Sequence, residues 1–176
     1  METLRSGIKI GGVFEIECYD KLFNLKWRER THNVVSNEAQ NKILDIVFHG
    51  GVAPTSWFCA LVEGSISPTL SQTYAVPLCT ESSAYDEATR PEYNESVASG
   101  QMLTNSANKA VFTINATKTM YGAMLVGGGS GAATKQDKAG SGGVLYCYGL
   151  FSGTQPVVAT NIINLTYAAS AADDAV

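Results

Sequence analysis

At 176 residues, 45% of them hydrophobic, the chain is long enough to bury about 70% of its unfolded surface as one domain, without disulfides to hold a core. Its formal net charge of −4 argues against general nucleic-acid binding, which needs clustered Lys and Arg; the densest basic run, Lys26-Trp27-Arg28-Glu29-Arg30, is broken by a carboxylate. No apolar stretch is long enough to span a bilayer, and Met1-Glu2-Thr3-Leu4-Arg5 lacks the apolar core of a signal peptide.

Along the chain, the first regular pattern is an alternation. Phe14, Ile16 and Cys18 fall on one face, and Val13, Glu15, Glu17 and Tyr19 on the other. A second run of period two, Leu22 to Trp27, follows the break at Asp20-Lys21, and the pair predicts a β-hairpin whose mixed face meets solvent or a partner. A helix is predicted at about residues 37–49. Ser36 is its N-cap, Glu38 sits in its first turn, Ile43, Leu44, Val47 and Phe48 form its apolar stripe, and Gly50-Gly51 ends it. Such a helix is expected to plug one open end of a sandwich, with His49 in a capping role.

Residues 56–63 (SWFCALVE) read as a central strand between Pro54 and Gly64. Residues 65–100 are rich in Ser, Thr, Pro and Glu and read as an ordered excursion with short strands around 76–80 and 92–97. Strand patterns return at 110–115 (AVFTIN), 119–127 (TMYGAMLVG), 144–151 (VLYCYGLF) and 161–168 (NIINLTYA). Pro156 is expected to keep residues 155–160 at an edge or a turn. Eight or nine strands and one helix predict a mainly β protein, an antiparallel sandwich of jelly-roll or Greek-key type, in a single domain over 1–176. An N-terminal arm (1–7) and a short acidic tail (169–176) flank it.

Chemistry-bearing patterns are weak. Residues 127–143 (GGGSGAATKQDKAGSGG) look like a phosphate loop, but Lys135 follows Ala132-Ala133-Thr134 instead of glycine, and β-branched and aromatic residues come next where a helix is needed. The span therefore reads as a long, mobile hairpin loop. Cys18, Cys59, Cys79 and Cys147 are widely separated with no CxxC, and His32 and His49 are scattered, so no zinc set is expected and the thiols read as buried and reduced. No Ser lies in a G-x-S-x-G elbow. In residues 81–93, Asp86, Glu87 and Glu92 are expected to order Arg90, while Tyr85 and Tyr93 anchor the loop. No catalytic residue, cofactor or metal is expected.

The order of segments carries a resemblance. Residues 34–51 (VVSNEAQNKILDIVFHGG), Trp57 in an apolar strand, residues 80–94 (TESSAYDEATRPEYN), residues 103–129 (LTNSANKAVFTINATKTMYGAMLVGGG) and the glycine-rich loop resemble a family of tailed-bacteriophage virion proteins. That family's pattern has a "TN-x-G" helix with "LLD-x-x-F", then "W-x-x-x-L", "E-x-x-x-Y", "A-x-RP", "N-x-A-x-F-x-I" and "I-x-G-x-x-L". The resemblance covers about residues 30–165 and departs at Ala39, where the pattern often has glycine. It implies a virion structural protein, made in the host bacterial cytoplasm. The leading expectation is a capsid decoration or cement protein, a homo-oligomer with a trimer favoured, bound to the major capsid protein and to neither nucleic acid nor membrane. The alternative is a tail, neck or fibre-associated protein that binds other tail proteins or a host-surface glycan. Tyr74, Tyr85, Arg90, Tyr93 and Lys21 are the interface candidates, because interfaces favour Tyr and Arg and Lys21 sits on the polar-faced hairpin.

Overall fold

The computed structural model describes residues 7–64 and 69–173. It is an antiparallel β-sandwich of two five-stranded sheets that do not close into a barrel, with one helix. In the first sheet, Ile8–Tyr19 (β1) is flanked by Leu25–His32 (β2) and, along its whole length, by the last strand. The second sheet takes in Val34–Val35 (β3), which leads into the helix Asn37–Phe48 (α1), then Trp57–Gly64 (β4) and Thr80–Glu81 (β5). Met102–Thr104 (β6) and Ala110–Thr113 (β7) return to the first sheet. Lys118–Gly127 (β8) and Val144–Val157 (β9) are central in the second, and Ile162–Asp173 (β10) closes the first.

The alternation in β1 works as its period dictates: Phe14, Ile16 and Cys18 are fully buried between the sheets. They meet Leu61 of β4, Phe112 of β7, Leu125 of β8, Cys147 of β9 and Tyr167 of β10 in one core. Strands β4, β8 and β9 read as nearly continuous apolar runs because both of their faces are covered. On the outer face, Ala60, Val62, Met124, Val126, Leu145 and Tyr148 pack beneath Tyr74 of the 69–81 excursion.

Four expectations are corrected. The C-terminal tail is strand through Asp173, because Ala168 to Asp173 continue the pairing with β1; residues 174–176, like the arm at 1–6, lie outside the described residues. Residues 155–157 continue β9 instead of forming a separate piece, while Pro156 holds the edge position expected of it, since β3 pairs β9 only at Cys147 and Tyr148. Pro156 sits opposite Thr119, and its carbonyl accepts a hydrogen bond from Trp27 Nε1 at 3.2 Å. Of the short strands expected in the excursion, only Thr80–Glu81 forms, while Glu92 makes an isolated bridge to Phe58. Helix α1 begins as predicted, with the Ser36 hydroxyl accepting from Ala39 N at 3.0 Å, but it lies against β9 with only Ala39 buried, and its stripe does not plug the sandwich. Leu44, Val47 and Phe48 are 54%, 62% and 81% exposed.

Candidate interaction surface

The densest polar cluster is built around Arg90, which is 2% exposed. The 81–90 segment doubles back beside β5, and the loop between β8 and β9 folds over it. Nε donates to Glu81 Oε1 at 2.8 Å and Nη2 to Glu81 Oε2 at 2.6 Å, a bidentate pair. Nη2 also donates to Asp137 O at 3.1 Å, and Nη1 to Ala132 O at 2.9 Å and the Tyr74 hydroxyl at 3.3 Å. All five guanidinium donors are thus used, and none is free for a ligand. Burial alone would lower the Arg90 pKa, but the Glu81 carboxylate outweighs it and holds the guanidinium charged.

The same network fixes the glycine-rich loop. Tyr74 donates from its hydroxyl to Asp137 Oδ2 at 2.7 Å, and Gln136 Nε2 donates to Glu81 O at 2.8 Å. The ammonium of Lys135 donates to Tyr85 O at 2.7 Å and lies 3.9 Å from the centre of the Tyr85 ring. Gly143 lies against the Tyr74 ring so closely that a Cβ there would come within 2.4 Å of Cδ1. The loop expected to protrude is therefore tied down over the excursion, with Lys135 in a structural contact.

Four of the five interface candidates face inward. Tyr74, Tyr85 and Tyr93 are buried with Arg90, so they anchor the loops and offer no side chain to a partner; only Lys21, at the exposed tip of the β1–β2 hairpin, stands at the surface. Asp86, Glu87 and Glu92 do not order Arg90. Asp86 accepts from Asn115 Nδ2 at 3.1 Å and Glu87 from the Thr113 amide at 3.0 Å, so Glu81 takes the role instead. The cysteines are free, and burial pushes Cys18 and Cys79 up to about 11 and Cys147 to about 12, which keeps them thiols at neutral pH. A second charged cluster joins strands. Glu17 accepts from Lys109 Nζ at 2.8 Å and pairs with Arg28, and the Lys109 contact, followed by Arg28, holds its carboxyl down at about 2 against the cost of burial.

The charged clusters at Arg90 and Glu17 are paired within the chain, while the Gln72 amide and the Tyr85 hydroxyl are buried without a partner; at the surface, apolar side chains stand open. A groove of about 370 Å³ runs between α1 and the start of β1, walled by Ile8 and Ile10 on one side and Ile43, Leu44, Val47 and Phe48 on the other. Through Ile10 and Ile43 it joins a second apolar depression at Leu103, Tyr146 and Ala169, which leads to an aromatic pocket of about 140 Å³ at Trp57, Tyr93, Tyr146 and Tyr167. At the other end of β1, the hairpin tip presents Leu22 and Phe23, 73% and 71% exposed. The helix stripe was legible in the sequence, but not its exposure. Nothing in the local pattern at Leu22 and Phe23 separates a surface knob from a buried strand.

In comparisons with known proteins, no family model and no curated sequence matches the chain.

Proposed function

We propose that this chain is a structural protein of a bacteriophage particle that works by binding, as a cement protein bridging subunits of the capsid shell. The observation that supports binding is the division of its groups. The buried charged clusters at Arg90 and Glu17 are satisfied within the chain, whereas Ile8, Phe23, Val47 and Phe48 stand more than half exposed. The connected grooves from α1 to Trp57 are apolar, as an interaction surface is, while a separate cavity of about 490 Å³ beside the glycine-rich loop has a mixed lining that includes Lys42, Ser56 and Ser130. The assignment to a particle rests on the ordered sequence runs between residues 34 and 129. A cement protein holds several neighbours at once, so modest contacts multiply into strong attachment.

A tail, neck or fibre-associated protein uses the same kind of surface. Its glycan-binding form draws on Trp57 and Tyr146 at the aromatic pocket, but Glu95 is the only charged residue among those lining it, which suits an apolar side chain better than sugar hydroxyls. The test is add-back. Purified chain is titrated onto particles that lack it, and saturable binding to the shell with restored resistance to heat and low magnesium is expected. Binding to isolated tails and not to shells favours the alternative. A monomer that turns over ester or glycosidic substrates overturns both.

A further inference from the structure

We propose that copies of this chain assemble head to tail, the Leu22 and Phe23 tip of one copy seating in the groove between α1 and β1 of the next. The tip is a preformed knob. Asp20 Oδ1 accepts from the amides of Leu22 at 2.8 Å and Asn24 at 3.0 Å, Oδ2 accepts from Asn24 Nδ2 at 2.9 Å, and Asp20 and Phe23 add two backbone bonds across the turn. Within this turn Phe23 has φ of 63°, a conformation that glycine or asparagine adopts far more readily than an aromatic residue. A bulky ring held at a strained position and 71% exposed gains nothing for the isolated fold.

The groove is the matching hole. Its volume of about 370 Å³ has room for two large side chains, and Ile8, Leu44, Val47 and Phe48 are 78%, 54%, 62% and 81% exposed around it. Those four expose on the order of 500 Å², at the upper range of the largest apolar patch on a typical monomer. Ile8 begins β1 and the tip follows Tyr19 at its end, so the two surfaces lie at opposite ends of a 12-residue strand, about 40 Å apart. A chain cannot fill its own groove with its own tip; a second copy can.

The tip and groove together bury roughly 800 Å² at most, below the ~1,600 Å² of a standard stable interface, so a single junction is weak. The contact is heterologous, and each added copy presents a fresh tip and a fresh groove, so assembly proceeds until the ring closes or continues as a filament. Closure makes every junction count at once. The inference stands on these two surfaces and needs no particle.

Sedimentation of the full chain over a concentration series tests it. The wild type is expected to form species larger than a dimer as concentration rises. Phe23→Asp and Phe48→Asp are each expected to stay monomeric. Mixed in equal amounts, they are expected to give dimers and nothing larger, because only the intact groove of the first and the intact tip of the second can join. All these side chains are exposed, so circular dichroism is expected to match the wild type; Leu22→Asp and Val47→Asp repeat the test if either variant misfolds. A wild type that remains monomeric overturns the proposal. So does assembly that survives Phe23→Asp, which marks a symmetric pairing of α1 faces instead.

Discussion

Arg90 holds two loops and a strand with five hydrogen bonds, and its charge is compensated chiefly by Glu81 through the bidentate pair. Removing one member of such a buried pair leaves an uncompensated charge, at a cost of about 3–5 kcal/mol. Glu81→Gln is expected to lower the melting temperature by about 10 °C in a thermal scan, and Arg90→Lys by a comparable amount, since an ammonium cannot fill five planar positions. The smaller cluster at Glu17 gives a pH signature. Its folded pKa of about 2 lies below the ordinary 4.5, so its contribution is complete above 4.5 and is lost as pH falls toward 2. Arg28 and Lys109 are partly exposed, which screens the effect. Urea midpoints measured from pH 5 to pH 2 are expected to fall less steeply for Glu17→Gln than for the wild type. At this scale the sequence marked Arg90 as a centre but not its partner. Asp86 and Glu87 are closer in sequence, yet they are spent on Asn115 and the Thr113 amide, and only the fold brings Glu81 beneath the guanidinium.

Among the elements, α1 shows how local rules hold while tertiary expectations fail. Its N-cap, its first-turn carboxylate and the glycine after its end were legible, because they depend on backbone geometry within a few residues. Glu38 goes further than a dipole contact, accepting from the amides of Tyr74 at 2.9 Å and Leu145 at 2.7 Å. The stripe of Leu44, Val47 and Phe48 has the spacing of a buried face, but periodicity reports which residues share a side, not what covers it. Ser36→Ala removes the cap bond to Ala39 and a hydroxyl bond to the Leu145 carbonyl, and is expected to cost about 1–2 kcal/mol in urea unfolding. The glycine-rich loop misled for a related reason. Composition suggests freedom, while Asp137, Ala132 and Lys135 are each bonded to the excursion. Limited proteolysis is expected to spare residues 128–143 in the wild type and to cut there in Arg90→Lys. Cleavage at equal rates in both contradicts the tether.

For the whole molecule, the sandwich was readable because period-two runs and turn signals recur through the chain; β2 begins at Leu25 instead of Leu22 and runs on to His32, the short strands β3 and β6 were not foreseen, and β9 and β10 extend where Pro156 and a run of alanines hid continuing strand. The surface was not readable, since exposure is settled by which elements the fold leaves uncovered. That surface, an apolar groove at one end and an apolar knob at the other with the charges satisfied inside, is what the binding role rests on. Imaging of phage particles with and without this protein tests that role most directly. Density for a β-sandwich is expected at protrusions of the capsid surface, lost in particles without it, which then open at lower temperature and at low magnesium. Particles that lack the protein yet keep every surface protrusion and equal resistance contradict that role.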